Sequence, residues 1–183
     1  RLASLYGVSP QMFPNIVMRS GLVTEAKQLS RHIGKHRLIV GNPPYMRMTN
    51  FSDNNTLKEN LLQTTAKALR SMIKEGGMIP PRADDNLGVD LSMNSAYHFV
   101  IQGLYQLHGG GRLAMVVPAT LWTNNNCDWL RKYMQQCCTL VSVRSFLGHA
   151  IWKTVKSAIT AFVLIKTLPP RNHKVHDVTQ NRL

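Results

Sequence analysis

The run Leu38-Ile39-Val40-Gly41-Asn42-Pro43-Pro44-Tyr45 sets an amide, two prolines and an aromatic ring directly after a short apolar segment. Leu38 to Gly41 reads as a short buried strand, and the proline pair must end it. Asn42 precedes a proline, so its backbone is driven into the extended region. Pro43 and Pro44 have no N–H, which makes the turn stiff and leaves their carbonyls free to accept hydrogen bonds. A rigid strand end offering an amide oxygen, bare carbonyls and a ring suits a planar base with an exocyclic amine. The oxygens would take the N–H groups and the ring would stack.

The elements that must position this corner alternate along the chain. Asn15–Met18 reads as a short strand and Thr24–His32 as a helix. Thr56–Glu75 carries Leu57, Leu61, Leu62, Ala66, Leu69 and Ile73 at helical spacing, with Thr56 as a cap and Gly76-Gly77 as its end. Asp90-Leu91 opens another segment of helical period through Ala96, Phe99, Val100 and Leu104 to Leu107, with Gly109-Gly110-Gly111 as the stop. Arg112–Pro118 is a buried strand ended by proline. Thr120–Thr123 and the stretch around Trp129–Met134 follow. Val141–Leu147 is a strand leading to Gly148, and Ala158–Lys166 is another, broken at Leu168-Pro169-Pro170. This alternation implies an α/β layered sheet, mostly parallel, with an antiparallel strand near the C-terminus and helices on both faces. The Asn-Pro-Pro-Tyr corner falls at the carboxyl end of a strand, where such sheets bind ligands.

The corner resembles the catalytic motif of amino-group methyltransferases, above all the gamma-type adenine-N6 DNA methyltransferases of restriction–modification systems. The segments after it follow that family's order: Asp90-Leu91 and its helix, Gly110-Gly111-Arg112-Leu113 and its strand, then the strands ending at Leu147 and Lys166. The resemblance covers residues 15–168 and implies a partial Rossmann-like methyltransferase sheet. It further implies that a target adenine in double-stranded DNA is flipped out. The Asn42 side chain and the Pro43 carbonyl would accept from its N6 group, within a catalytic set of Asn42, Pro43, Pro44 and Tyr45. S-adenosylmethionine would donate the methyl group, and Tyr45 would stack on the base. Trp152 occupies the place of a second aromatic that sandwiches it. Arg47 just past Tyr45, and Lys153 and Lys156 beside Trp152, are candidate DNA phosphate contacts. A plain solvated cation is the alternative at each.

Composition points the same way. Twenty-two Lys and Arg against nine Asp and Glu give a net charge of +13. That favours a polyanionic partner, most simply nucleic acid, although a basic surface without such a partner has the same composition. No run of apolar residues is long enough to span a membrane. Cys127, Cys137 and Cys138 are odd in number and lack metal spacing or a disulfide framework, so a reducing cytoplasmic compartment is expected. His32/His36, His173/His176 and Asp84-Asp85 have no partners at metal-ligand spacing, and no metal site is expected.

The glycine loop that holds a methyl donor after a first strand is missing. Gly109–Gly111 follows a helix and precedes a strand, the wrong polarity. The segment before Asn42 holds one acid, Glu25. Ser20 stands where the resemblance implies an Asp near the donor's adenine, and is the candidate donor contact there. The expectation is therefore that residues 1–168 form the C-terminal portion of a methyltransferase catalytic domain, whose first strands lie on missing sequence or another chain. Residues 169–183 would be a basic tail or the start of a following element. The alternatives are another amino-group methyltransferase, acting on RNA adenine or protein glutamine, and a non-catalytic DNA-binding remnant. The long segment between Tyr45 and Asp90, and the Trp152 loop, disfavour the glutamine enzymes.

Overall fold

The computed structural model describes residues 25–50, 54–76, 94–125, 127–147, 158–168 and 176–177. Helix α1 (Ala26–Ser30) leads into strand β1 (His36–Gly41). Helices α2 (Asn55–Glu75) and α3 (Ser95–Gln106) come before strand β2 (Leu107–Pro118). The short helix α4 (Thr120–Thr123), helix α5 (Asp128–Cys137), and strands β3 (Thr139–Leu147), β4 (Ala158–Ile165) and β5 (His176–Asp177) complete the order. The expected strand Asn15–Met18, Asp90-Leu91, Ser20, and the loop with Trp152, Lys153 and Lys156 lie outside the described residues; the helix expected to open at Asp90 starts instead at Ser95, after the extended N-cap Asn94.

The strands form one sheet in the order β1-β2-β4-β3-β5. β1 is parallel to β2 and β5 to β3, while β4 is antiparallel to both its neighbours. Four strands thus run one way and β4 alone runs back, the mostly parallel sheet with a late antiparallel strand that was expected. The β1-to-β2 and β2-to-β3 crossovers both move the same way across the sheet. Right-handed crossovers in one direction lay their helices on one face. Burial agrees. Leu113, Met115 and Val117 of β2 and Thr160, Phe162 and Leu164 of β4 are cross-strand partners or share their face, and all are buried. Leu69 and Met72 of α2, Val100 and Leu104 of α3, and Leu130 and Tyr133 of α5 join Leu113, Met115, Val117, Phe162 and Leu164 in one apolar cluster. The helices expected on the second face are not among the described residues.

Three local expectations are corrected. β1 is not buried throughout: Leu38 and Val40 are 62% and 70% exposed. They point away from the helical layer, because a strand's side chains alternate, whereas Ile39 packs on the core. Helix α2 is capped by Asn54, whose side chain accepts from the Leu57 N–H, and not by Thr56. The three glycines do not stop a helix. α3 ends at Gln106, and Gly109–Gly111 belong to β2, where His36 pairs with Leu107 and Leu38 with Arg112. The surplus residues on β2 are taken up by a bulge in which Gly110 adopts φ +80°, a conformation that favours glycine.

α3 lies close on the sheet. A Cβ on Gly103 would stand 3.1 Å from Leu113 Cδ1, so a larger residue here would make that side chain give by a few tenths of an ångström. Its other side is tied to α2 by a buried polar group: His98 Nδ1 lies 2.8 Å from Thr65 Oγ1, and the Gln102 amide donates to the same oxygen at 3.1 Å. Lys166 closes the far end, its ammonium donating to the Leu104 and Leu107 carbonyls. None of the three cysteines forms a disulfide, and Cys137 and Cys138 stand at the end of α5.

Candidate active site

The corner sits where β1 leaves the sheet. Gly41 is the last residue paired, against Met115. Its Cα faces that side chain so closely that a Cβ would stand 2.8 Å from Met115 Sδ. The chain then turns through Asn42-Pro43-Pro44-Tyr45: Asn42 is exposed, Pro43 buried, Pro44 exposed and Tyr45 half-buried. The Tyr45 hydroxyl donates to Asn42 Oδ1 at 2.8 Å. That bond identifies the oxygen of the carboxamide as the atom turned toward the ring. Burial pushes the Tyr45 phenol above its ordinary value, so it keeps the proton it donates.

The corner is held from a second direction by α3. Ser95, the first residue of that helix, is fully buried. Its hydroxyl donates to the Pro44 carbonyl at 2.6 Å, and its backbone N–H donates to the Met46 carbonyl at 3.0 Å. Of the two proline carbonyls read from the sequence as free acceptors, Pro44's therefore already accepts one hydrogen bond. Beyond the corner, the 3-10 turn Met48–Asn50 buries Met48 against Leu61 and Phe99, anchoring the loop on α2 and α3. Arg47, at the start of that turn, is exposed.

A cleft of about 520 Å³ runs from the corner along β1. Leu38, Val40, Asn42 and Pro43 line it from the strand and the corner, and Phe99 and Gln102 line it from α3. Among the described residues no carboxylate lines it. The structure thus brings Asn42, Pro43, Pro44 and Tyr45 together with an open apolar space beside them. Sequence reasoning missed Ser95 and Gln102. The signal for Ser95 was local: Asn94 is a helix N-cap, accepting from the Ala96 N–H, so Ser95 had to open the helix.

The solved structures that resemble this chain include the M protein of the type I restriction enzyme EcoKI, with a TM-score of 0.55 and 14% identity over 100% of this chain and 33% of that one. Another is the methyltransferase subunit of a type I restriction–modification system from Streptococcus thermophilus, with a TM-score of 0.52 and 15% identity over 97% and 32%. The fold is that of restriction–modification methyltransferases. A third, DrdV solved in a complex with DNA, has a TM-score of 0.52 and 13% identity over 78% and 14%. The chain spans about a third of the length of the two type I subunits. No family model and no curated protein sequence matches it. Among the described residues no helix is long and apolar enough to cross a membrane.

Proposed function

We propose that this chain is the C-terminal portion of a DNA methyltransferase catalytic domain that moves a methyl group from S-adenosylmethionine to the N6 atom of an adenine flipped out of double-stranded DNA. The observation that carries this reading is the Asn42–Tyr45 corner at the carboxyl end of β1, in a sheet whose fold is that of restriction–modification methyltransferases. Bound S-adenosylmethionine supplies a methyl group activated by its sulfonium. The chain's own residues fit the acceptor end of such a site. Asn42 Oδ1 and the Pro43 carbonyl accept the two N6 hydrogens, which turns the nitrogen lone pair toward the donor. Positive character would grow on N6 as the N–C bond forms and the sulfonium's S–C bond breaks, before an N6 proton leaves to solvent, and these two oxygens would stabilise it more in the transition state than in the ground state.

In the free protein the Tyr45 hydroxyl already occupies one lone pair of Asn42 Oδ1. An arriving base uses the other or displaces the phenol, which frees the ring to stack on it. Trp152 is assigned the opposite stacking face. Arg47, Lys153 and Lys156 are assigned to the phosphates flanking the extruded nucleotide. The net charge of +13 supports a nucleic-acid partner, because releasing condensed counterions favours binding by such a surface.

The described residues do not supply the donor's other contacts: among them no carboxylate lines the cleft to hold a ribose, and no glycine loop of the right polarity stands beside it. The exposed Leu38 and Val40 and the outer edge of β1 are where a further part of the domain would dock, bringing those contacts from elsewhere in the sequence or from another chain. The test is to supply the chain with a donor-binding portion, S-adenosylmethionine and duplex DNA, then hydrolyse the DNA and analyse its nucleosides by mass spectrometry. N6-methyladenine is the expected product. Methyl groups on RNA adenine or on protein glutamine, with none on the DNA, would assign the corner to a different amine.

A further inference from the structure

The geometry points to Ser95 as the residue that positions the reactive corner, acting through the carbonyl of Pro44; this rests on the methyltransferase reading above. Asn42 and Pro43 leave the sheet after the Gly41–Met115 pair, and from there to the turn at Met48 two contacts from α3 hold the loop. Both come from Ser95: its hydroxyl to the Pro44 oxygen at 2.6 Å, and its N–H to the Met46 oxygen at 3.0 Å. The residue is fully buried and 51 positions away in sequence, so the hydroxyl serves no helix cap of its own and is spent on the corner.

Ser95 can do this because its helix cannot shift. Gly103 lets α3 press on Leu113, the Thr65–His98–Gln102 group ties it to α2, and Asn94 caps its first turn. The place of the Pro44 carbonyl is thereby set by the core. With one lone pair of that oxygen used, Pro43's carbonyl, on the residue next to Asn42, is the acceptor assigned to the amine. A serine on the helical layer thus decides which backbone oxygen faces the base and how far it stands from Asn42. Displacements of about an ångström at such groups cost about a hundredfold in rate.

The test compares Ser95→Ala with Ser95→Thr in the full chain. Carbon-13 carbonyl labelling of proline gives a direct NMR signature, because a carbonyl that accepts a hydrogen bond resonates downfield. The Pro44 signal should move upfield in Ser95→Ala and return in Ser95→Thr. An unmoved signal overturns the clamp whether or not any methyl group is transferred. Should Ser95→Ala fail to fold, Ser95→Cys keeps the shape with a weaker donor and should move the signal in the same direction. In the complemented assembly, Ser95→Ala should lower kcat at least about tenfold, with KM and DNA affinity held within about twofold, and Ser95→Thr should restore it. A shifted Pro44 signal with unchanged kcat overturns the positioning role. A wild-type assembly that methylates nothing overturns the functional reading and the positioning role with it, and the NMR result then shows that the clamp itself was not the error.

Discussion

Tyr45 has two tasks that substitutions can separate. Its hydroxyl holds Asn42 Oδ1 in the free protein, and its ring is assigned to the extruded base. Tyr45→Phe removes the first and keeps the second, so capture of a flipped base should stay near wild type. Tyr45→Ala removes both and should weaken capture by about 1–3 kcal/mol, the usual worth of a base stacked on an aromatic side chain. Fluorescence of 2-aminopurine at the target position reads this directly. Equal signals for the two variants would show that the ring does not stack. The Asn-Pro-Pro-Tyr corner was legible from residue types alone, because prolines and an amide after an apolar strand permit few arrangements. The Ser95 contact was not legible. It joins residues 51 positions apart, and nothing in either segment's composition says which carbonyl a buried hydroxyl will meet.

Helix α3 lines the cleft with Phe99 and Gln102 and carries Ser95, and it packs tightly on the sheet at Gly103. Replacing Gly103 by valine forces methyl groups against Leu113 and Met115. It should destabilise the chain by about 1–3 kcal/mol, the common cost of overpacking, and chemical denaturation measures it. A variant as stable as wild type would mean that the helix can lift from the sheet at no cost. The strands and helices were largely legible from periodicity: β2, α5, β3 and β4 fall where apolar spacing put them. The errors came where one residue type serves two ends. Gly109–Gly111 follow a helical pattern and would stop a helix, but here glycine's freedom is used for a bulge that lets β2 begin directly after Gln106. Thr56 and Asn54 are both capping residues, and only the Asn54 hydrogen bond decides between them.

At the scale of the whole molecule, the buried core and the exposed side chains of β1 have different consequences. The core buries ionisable groups in their neutral forms. Burial pushes Cys138 up from 9.0 to about 12 and Tyr97 up from 10.0 to about 12, and raises Tyr133 as well. The unfolded chain releases these protons from about pH 9 upward while the folded chain keeps them, so their stabilising share is complete below pH 9 and is lost as pH climbs toward 12. Cys138→Val removes one such group. Between pH 8 and pH 11, wild type should therefore lose more stability than this variant, as followed by urea midpoints. Parallel losses would show that Cys138 titrates normally in the folded chain.

The exposure of Leu38 and Val40 on β1 was hidden from sequence reading for a physical reason. An apolar strand looks the same whether its second face is covered by this chain or by something else. Adenine methylation by this chain turns on the corner, and Asn42 is the residue whose loss reports on it. In the complemented assembly, Asn42→Ala should abolish formation of N6-methyladenine in duplex DNA while DNA affinity stays near wild type, because the carboxamide acts on the reacting amine and not on the phosphates. Turnover by Asn42→Ala at a rate close to wild type would contradict the assignment of this corner to adenine methylation.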